Sequence, residues 1–208
     1  MTPVPVAVVR NLKSAMENKK SKIKFVGVKR YGFIVEPRYY FWGWSKSPKI
    51  LARNSALRAL IKAKKFLPKG YNFKVWDAKR TYNIQAEMVK SFKRRLKLLH
   101  FRLSKNKLEK LVFKFSGGLG RSVKRLDSHR RGGSFDLTVI NKKGEELYMG
   151  TDHDDLTEKA ATDYFEKKPQ LNLLEKEAKK NRRLLKKVMK KAGFYNYPAE
   201  WWHWSYDK

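Results

Sequence analysis

The sequence predicts a single α+β domain in which helices flank a small antiparallel sheet. Its 208 residues are enough for one domain with a buried core, and 41% of them are hydrophobic and 13% aromatic. Segments with helical spacing of apolar residues and segments of strand-like alternation both occur. They do not follow the regular strand–helix–strand order of a parallel sheet, which favours the α+β class.

Three segments have the periodicity of amphipathic helices. In residues 51–67, apolar side chains recur at helical spacing until a Pro-Lys-Gly sequence ends the pattern. Residues 84–99 place apolar side chains on one face and lysines on the other. Residues 173–192 form the most regular pattern, and Gly193 stands where a C-terminal cap belongs. The sequence therefore predicts three helices of three or more turns.

Strand-like segments lie between and after these helices. Residues 73–77 alternate as in a short strand, and residues 134–140 are rich in β-forming side chains. A turn at residues 141–144 follows, so residues 147–149 are predicted to pair back as a hairpin partner. Residues 200–206, with three tryptophans, are predicted to form a last buried strand.

Two parts of the chain stand out from this domain, which is predicted over residues 46–208. Residues 1–45 form a basic and aromatic N-terminal segment, a candidate lid whose aromatic part, residues 31–44, is expected to cover the core or a pocket. Residues 90–125 hold 13 Lys and Arg and one acidic residue, Glu109. Residues 100–125 are therefore a candidate basic insertion or polyanion-facing surface.

Bulk composition excludes several classes of site. There is no cysteine, so the chain has no disulfide, thiolate metal site or cysteine nucleophile, and a metal must be held by His, Asp or Glu. The net charge of +31 has two readings, weak polyanion binding or a lysine-rich proteome. No secretory signal or membrane span is found, and a cytoplasmic location is expected. The oligomeric state is left open.

Two of the four histidines lie near carboxylates in patterns suited to a metal. His129 precedes Asp136 by seven positions, with Gly132 and Gly133 between them to let the chain fold back. His203 follows Glu200 and is flanked by tryptophans. Two imidazoles and one carboxylate suit a catalytic zinc ion, and a second carboxylate can act as general base. From spacing alone, an equally good alternative to a metal site is that His203 is a core histidine among aromatic side chains and that His129 lies in a surface turn.

Several ordered motifs resemble the D-alanyl-D-alanine dipeptidase family of zinc metallopeptidases. Residues 128–138 (Ser-His-Arg-Arg-Gly-Gly-Ser-Phe-Asp-Leu-Thr) are similar to its first metal motif. The segments Val-Trp-Asp-Ala-Lys-Arg at residues 75–80 and Met-Gly followed by Asp154 are similar to two further motifs. Residues 181–203, ending in Glu-Trp-Trp-His, are similar to its C-terminal helix and closing motif. The resemblance extends from about residue 50 to the end.

The resemblance implies a fold and a role for each matched residue. It implies the D,D-peptidase/hedgehog-like arrangement, with one zinc ion per chain at the sheet, held by His129, Asp136 and His203. Glu200 would be the general base and Arg80 would stabilise the oxyanion. The remaining matched residues would bind substrate: Asp154, at the free ammonium group, and Ser128. One departure from the family pattern, Asp127 two positions before His129, leaves the identity of the substrate open.

Three functions are compatible with these observations. The first is hydrolysis of D-Ala-D-Ala or a similar short D-amino-acid dipeptide. The second is a D,D- or L,D-carboxypeptidase that acts on cell-wall peptides. The third is a non-catalytic polyanion-binding protein, against which the retained ligands and base argue, because a binding module needs none of them. His153 matches no ligand position and is not assigned to the site.

Overall fold

A computed structural model describes residues 23–116 and 128–208 of the chain. The part of the chain so described contains seven strands and six α-helices. The strands are β1 (Phe25–Gly27), β2 (Ile34–Val35), β3 (Leu51–Arg53), β4 (Asn72–Asp77), β5 (Ser134–Ile140), β6 (Tyr195–Asn196) and β7 (His203–Ser205). The helices are α1 (Arg38–Phe41), α2 (Asn54–Lys64), α3 (Tyr82–Leu99), α4 (Lys105–Ser116), α5 (Tyr164–Lys167) and α6 (Leu173–Lys191). The predicted single α+β domain is confirmed.

The main sheet has five strands in the order β2-β4-β5-β7-β6. Its pairs are antiparallel except for β2 and β4, which are parallel and are connected through α1, β3 and α2. The second sheet is the antiparallel pair β1 and β3. All seven residues of β5 are buried, as expected for a central strand. The candidate site residues lie around the N-terminal end of this strand, near Asp136.

Two hydrophobic clusters surround the sheet. The larger one joins the buried faces of α2 and α6 to β4, β5 and the C-terminal tryptophans. The smaller one lies between α3 and α4, where Phe92 and Leu96 pack with Leu108 and Val112. Met88 belongs to the smaller cluster and contacts Arg80 and Tyr39 through its sulfur. Met88 thus brings the smaller cluster into contact with Arg80.

Most predicted elements are present, with three corrections. The helix predicted over residues 51–67 begins later, at Asn54, because residues 51–53 pair with β1. Residues 147–149 form no strand, although one bridge joins Ile140 to Glu146 and the N–H of Leu147 donates to the carbonyl of Val139. Beyond this bridge, the side chains of Asn181 and Arg182 donate hydrogen bonds to the carbonyl oxygens of Tyr148 and Met149. These two carbonyls are therefore bonded to α6 and not to a strand partner.

The third correction concerns the C-terminal strand, which was predicted to start at residue 200. Residues 200–202 form a turn, and β7 begins at His203. The backbone N–H of Trp201 donates to the carbonyl of Ala160, outside the sheet, which explains why the strand starts late. The turn also places Glu200 beside the sheet rather than within it.

Two predictions fall partly outside the described residues. Of the N-terminal segment, residues 1–22 lie outside them, and of the candidate basic insertion, residues 117–127 do, including the Gly-Gly-Leu-Gly sequence and Asp127. The described part of the aromatic segment contains β2 and α1, with Tyr39 buried. Within the described residues, no helix is both long and apolar enough to cross a bilayer.

Candidate metal centre

Strand pairing brings Asp136 and His203 together. The two residues are direct partners in the antiparallel pair β5–β7, so their side chains project on the same face of the sheet. On the other side of β5, Asp136 is the register partner of Asp77 at the end of β4, where the register shifts. The end of β5 therefore collects polar side chains from three neighbouring strands.

His129 reaches this point from a short 3₁₀ turn, His129–Arg131, that precedes β5. The Oγ atom of Ser128 caps the turn by accepting from the N–H of Arg131 at 3.3 Å. Gly132 ends it with φ of 64°, and a Cβ atom there would lie 2.8 Å from the backbone nitrogen of Arg53. Glycine is thus required for both conformation and space, in agreement with the expectation that glycines fold this loop back.

Three potential ligand atoms face one another at the end of β5. The Nε2 atom of His129 lies 3.1 Å from Nδ1 of His203 and 3.2 Å from Oδ1 of Asp136. The distance from His203 Nδ1 to the same Oδ1 atom is 3.1 Å. Among the described residues, these three form the group of His and carboxylate side chains that could hold a metal ion. The structure thus brings together the three residues predicted as ligands.

The outer ring nitrogens of both histidines have partners of their own. Nδ1 of His129 donates to the carbonyl oxygen of Ala78 at 2.6 Å. This bond leaves a lone pair on Nε2, the atom that faces the cluster. Nε2 of His203 lies 3.1 Å from Oγ of Ser205, which leaves Nδ1 to face the cluster. Each ring therefore directs one nitrogen at the cluster.

The pKa shifts of His129 and Asp136 indicate that the cluster stabilises a positive charge at its centre. Burial alone would lower the pKa of His129, but the charge of Asp136 and hydrogen bonds to Asp136 and Asp77 raise it to about 9. Burial would raise the pKa of Asp136, but His129 and the neighbouring imidazoles hold it well below its usual range. A positive charge at the centre would relieve the repulsion between three lone pairs at such distances.

The dimensions and donor types of this cluster fit a zinc ion. Bonds of about 2.0–2.1 Å in a tetrahedron place neighbouring ligand atoms about 3.3 Å apart. The observed separations of 3.1–3.2 Å are close to that value. Two imidazole nitrogens and one carboxylate oxygen also leave the fourth position of a tetrahedron open, as in catalytic sites. The site can therefore take a divalent cation with little rearrangement.

Glu200 lies next to the cluster without belonging to it. Its Oε2 atom is 3.7 Å from Nδ1 of His203, and its side chain is 14% exposed. Burial, together with the negative charges of Asp136 and Asp154, raises the pKa of this carboxyl well above its usual range. A carboxylate with raised basicity beside a group of metal-ligand side chains is suited to act as a general base.

Arg80 is held between two carboxylates. Its Nε atom donates to Oδ2 of Asp77 at 2.8 Å, and Nη2 donates to Oδ2 of Asp136 at 2.7 Å. Its guanidinium carbon also lies 4.8 Å from the ring centre of Tyr39. Burial opposes the charge, but Tyr39 and the carboxylates outweigh burial and raise the pKa of Arg80. A permanent positive charge is thus held in contact with the carboxylate of Asp136.

Asp154 lies on the far side of a buried histidine from the cluster. Nε2 of His153 is 3.6 Å from Oδ2 of Asp136 and 3.4 Å from Oδ1 of Asp154. Tyr39 donates its hydroxyl to Oδ2 of Asp154 at 3.2 Å. The backbone of Asp154 has φ of 58°, which is uncommon for a residue other than glycine, although aspartate adopts it more readily than most.

The residues that sequence reasoning did not assign to the site are Asp77, His153 and Tyr39. Each contacts a predicted site residue, and His153 is enclosed by aromatic rings, with Trp76 at 4.9 Å and Trp42 stacked at 6.1 Å. Asp77 had a usable signal, since its strand ends three residues before Arg80. Ser128 lies beside His129, where its side chain caps the turn. A role for Ser128 in substrate binding stays a prediction.

Comparison with known proteins decides the family. Residues 43–208 match the family model of the D-Ala-D-Ala dipeptidases, peptidase M15. This chain belongs to that family of peptidases. A D-alanyl-D-alanine dipeptidase from Synechocystis sp. is 32% identical over 81 residues, which cover 37% of this chain and 33% of that protein. One from Enterococcus faecalis is 38% identical over 78 residues, 37% of this chain and 35% of that protein.

Each alignment with a curated dipeptidase spans about a third of the relative's length. The family match is longer and includes the whole cluster, from Arg80 through His129 and Asp136 to His203. It begins at residue 43, within the aromatic segment, so α1 lies outside the matched region, although Tyr39 of α1 contacts Asp154 and Arg80.

Proposed function

We propose that this protein hydrolyses D-Ala-D-Ala or a similar short D-amino-acid dipeptide, using one zinc ion per chain. The observation that carries the proposal is the triangle of His129, Asp136 and His203 atoms, 3.1–3.2 Å apart, with Glu200 beside it. Membership of the dipeptidase family supports the same reaction, and the names of both curated relatives are consistent with it.

The cluster residues and Glu200 divide the chemistry between them. His129, Asp136 and His203 would hold the zinc. When bound, zinc supplies Lewis-acid activation of water and of the peptide carbonyl. Glu200 would take the proton from the attacking water at a carboxylate oxygen, hold it, and deliver it to the leaving amine. The raised pKa of Glu200 suits both halves of this task, because the group must bind the proton and later release it.

Arg80 would stabilise the negative charge that develops on the carbonyl oxygen. A fixed guanidinium in a site that excludes water is effective in this role, because it requires no reorganisation when the charge appears. Its two carboxylate partners, Asp77 and Asp136, hold the planar group in one orientation. Loss of either partner would leave the guanidinium free to turn away from the substrate.

Asp154 would bind the free ammonium group of the dipeptide. Its carboxyl is 5% exposed, and burial, followed by the charge of Asp136, raises its pKa despite the opposing effect of His153. A buried carboxyl of this kind gains from a cationic partner. The aromatic segment closes this end of the site, since Tyr39 contacts Asp154 and Trp42 stacks on His153. A closed ammonium end favours dipeptides over longer wall peptides.

The distinguishing experiment compares free and N-terminally blocked substrates. Purified protein would be given D-Ala-D-Ala, N-acetyl-D-Ala-D-Ala and a muropeptide, each with zinc and with chelator, and release of D-alanine would be measured. Chelator-sensitive cleavage of the free dipeptide alone is expected. Comparable cleavage of the blocked dipeptide and the muropeptide would instead identify a carboxypeptidase. No cleavage of any substrate would favour the non-catalytic polyanion-binding function.

Asp154→Asn provides the internal control for this comparison. If Asp154 binds the ammonium group, the variant should lose much of its activity on the free dipeptide through a raised KM. A charged hydrogen bond contributes about 1.5–3 kcal/mol, which corresponds to roughly a 10- to 150-fold change. Any residual activity on the blocked substrate should not change. Equal losses on both substrates would show that Asp154 acts on the zinc ligands rather than on the ammonium group.

A further inference from the structure

The helical hairpin formed by α3 and α4 extends from the domain to a tip. The two helices are joined by residues 100–104 and pack through their buried faces, with Leu96 and Leu108 nearest the tip. Beyond this pair, the chain leaves the core. We use "hairpin tip" for residues 97–107, of which all but Leu103 are exposed.

Large apolar side chains lie on the outer surface of the hairpin tip. Leu98 is 75% exposed, Leu99 62% and Phe101 75%. An isolated exposed leucine needs no explanation, but three such side chains within four residues form a local apolar surface. They are not needed for the packing between α3 and α4, because that role belongs to Phe92, Leu96 and their partners on the inner face.

The hairpin tip is also strongly basic. Residues 88–108 contain eight Lys and Arg and no Asp or Glu. Four of these basic side chains lie on the tip itself and are exposed, namely Lys97, Arg102, Lys105 and Lys107. The guanidinium of Arg102 lies 5.2 Å from the ring centre of Phe101, so an apolar and a charged group share one place on the surface. The pattern is an apolar centre with a cationic surround.

We propose that the hairpin tip docks on the surface of an anionic lipid membrane. Side chains such as Leu98 and Phe101 lose water contact by entering the boundary between headgroups and acyl chains, while the surrounding basic groups meet the negative headgroups. A nucleic acid or an anionic wall polymer would neutralise the basic side chains, but the phosphate backbone of either makes no apolar contact with exposed leucines. The apolar centre therefore favours the membrane. The hairpin tip lies outside the candidate metal centre, so this inference does not depend on the proposed reaction.

The test measures sedimentation of full-length protein with vesicles. One vesicle set contains phosphatidylcholine alone, and the other contains added phosphatidylglycerol. The unmodified protein should sediment with the anionic set and be released from it by salt. The double variant Leu98→Ser with Phe101→Ser should bind the anionic vesicles at least about tenfold more weakly. The matched control is Leu173→Ser combined with Leu174→Ser, which changes two leucines that are 83% and 59% exposed at the start of α6.

The outcomes separate the membrane from other partners. We call Leu98→Ser with Phe101→Ser the hairpin-tip pair. Weakened vesicle binding by this double variant and not by the control, with circular dichroism and melting temperature unchanged, supports the proposal. Equal binding by both pairs and the unmodified protein, or no vesicle binding at all, overturns it. Retention on heparin or DNA with no preference for anionic vesicles would also overturn it, in favour of a polyanion. A shift from a larger assembly to monomer in the hairpin-tip pair, without vesicle binding, would identify a second copy as the partner.

Discussion

Oδ2 of Asp77 lies 3.1 Å from Nδ1 of His129 and also accepts a hydrogen bond from Nε of Arg80 at 2.8 Å. One carboxylate thus contacts both the imidazole predicted to bind zinc and the guanidinium predicted to bind the oxyanion. Burial would raise the pKa of Asp77, but Arg80 and His129 lower it. Asp77 is therefore a negative charge at pH 7 that orients two functional groups.

Asp77→Asn should weaken zinc binding. The substitution keeps the size of the side chain but removes the charge that orients His129, and loss of such an outer partner typically costs about 10- to 100-fold in metal affinity. Competition with a chromophoric chelator measures this directly. Asp163→Asn, which removes the partner of Lys167 on the surface, is the control and should leave zinc affinity unchanged. Equal affinity in the Asp77 variant would exclude an orienting role.

Arg80→Lys should lower turnover while the charge is retained. An ammonium group cannot bridge Asp77 and Asp136 with the fork geometry of a guanidinium. Loss of a fixed oxyanion donor costs about 10²–10³ in kcat. The assay is steady-state cleavage of D-Ala-D-Ala at saturating zinc, with the exposed Arg94→Lys as control. A variant with normal kcat would contradict the assignment of Arg80 to the oxyanion.

Gly150→Ala tests the packing of the loop before Asp154 against Phe165. Gly150 has φ of 88°, and a Cβ atom there would lie 2.5 Å from the ring of buried Phe165. Gly144 has φ of 85° with no atom within 4 Å of that position, so Gly144→Ala carries the backbone strain alone. We expect the control to lose about 1–2 kcal/mol of unfolding free energy, and Gly150→Ala about 1–3 kcal/mol more. Chemical denaturation measures both. Equal losses would mean that the Phe165 contact is easily relieved.

Glu166 provides a pH-dependent contact between α5 and α6. Hydrogen bonds from Arg183, at 2.6 and 2.7 Å, lower the pKa of Glu166 to about 2 against an opposing effect of burial, and Lys179 lowers it further. Since the folded pKa lies below the unfolded value of 4.5, the contribution is complete above about pH 4.5 and is lost as the pH falls toward 2. The contact is partly exposed, so solvent and salt screen it.

The difference in unfolding free energy between unmodified protein and Glu166→Gln should follow this titration. We expect about 1 kcal/mol or less near pH 6, shrinking as the pH is lowered from 5 toward 2. Denaturation series at several pH values give the difference, and Glu177→Gln on the exposed face of α6 serves as control. A difference that is constant with pH would mean that the ion pair with Arg183 contributes nothing.

Strand β5 and helix α6 could be predicted closely from the sequence. Ser134–Ile140 has the predicted bounds, and α6 ends one residue before the predicted position, with Gly193 in the left-handed conformation at φ of 94°. Both elements are determined locally. In β5 five of the seven residues are aromatic, aliphatic or β-branched, and in α6 one apolar stripe and a capping box at Asn172 specify the helix.

Predictions that depended on distant partners were less accurate. Residues 147–149 have strand-like side chains, but Asn181 and Arg182, more than thirty positions away, compete for their carbonyl groups. No local pattern records that competition. Similarly, the first turn predicted for α2 pairs with β1 instead, because a neighbouring edge was available. Tertiary hydrogen bonds override local propensity in both cases.

The candidate site shows the same division. Spacing could predict that His129 and Asp136 approach each other, because the turn glycines lie between them. His203 is 67 positions from Asp136, and only the motif resemblance placed it in the same site. The surroundings of His153 could not be predicted, since its neighbours Trp42, Trp76 and Trp202 come from three separate parts of the chain. Their convergence is a property of the folded core and not of the motif.

The most direct test of the account is turnover by a Glu200→Gln variant that binds zinc normally. Zinc content is first measured, and one ion per chain is expected in both unmodified protein and variant, because Glu200 lies outside the ligand triangle. Release of D-alanine from D-Ala-D-Ala is then compared. We predict rapid, chelator-sensitive release by the unmodified protein and a loss of about 10²–10⁴ in the variant, the range expected for a general base. Undiminished release by the zinc-loaded variant would contradict the central claim that Glu200 activates water at this site.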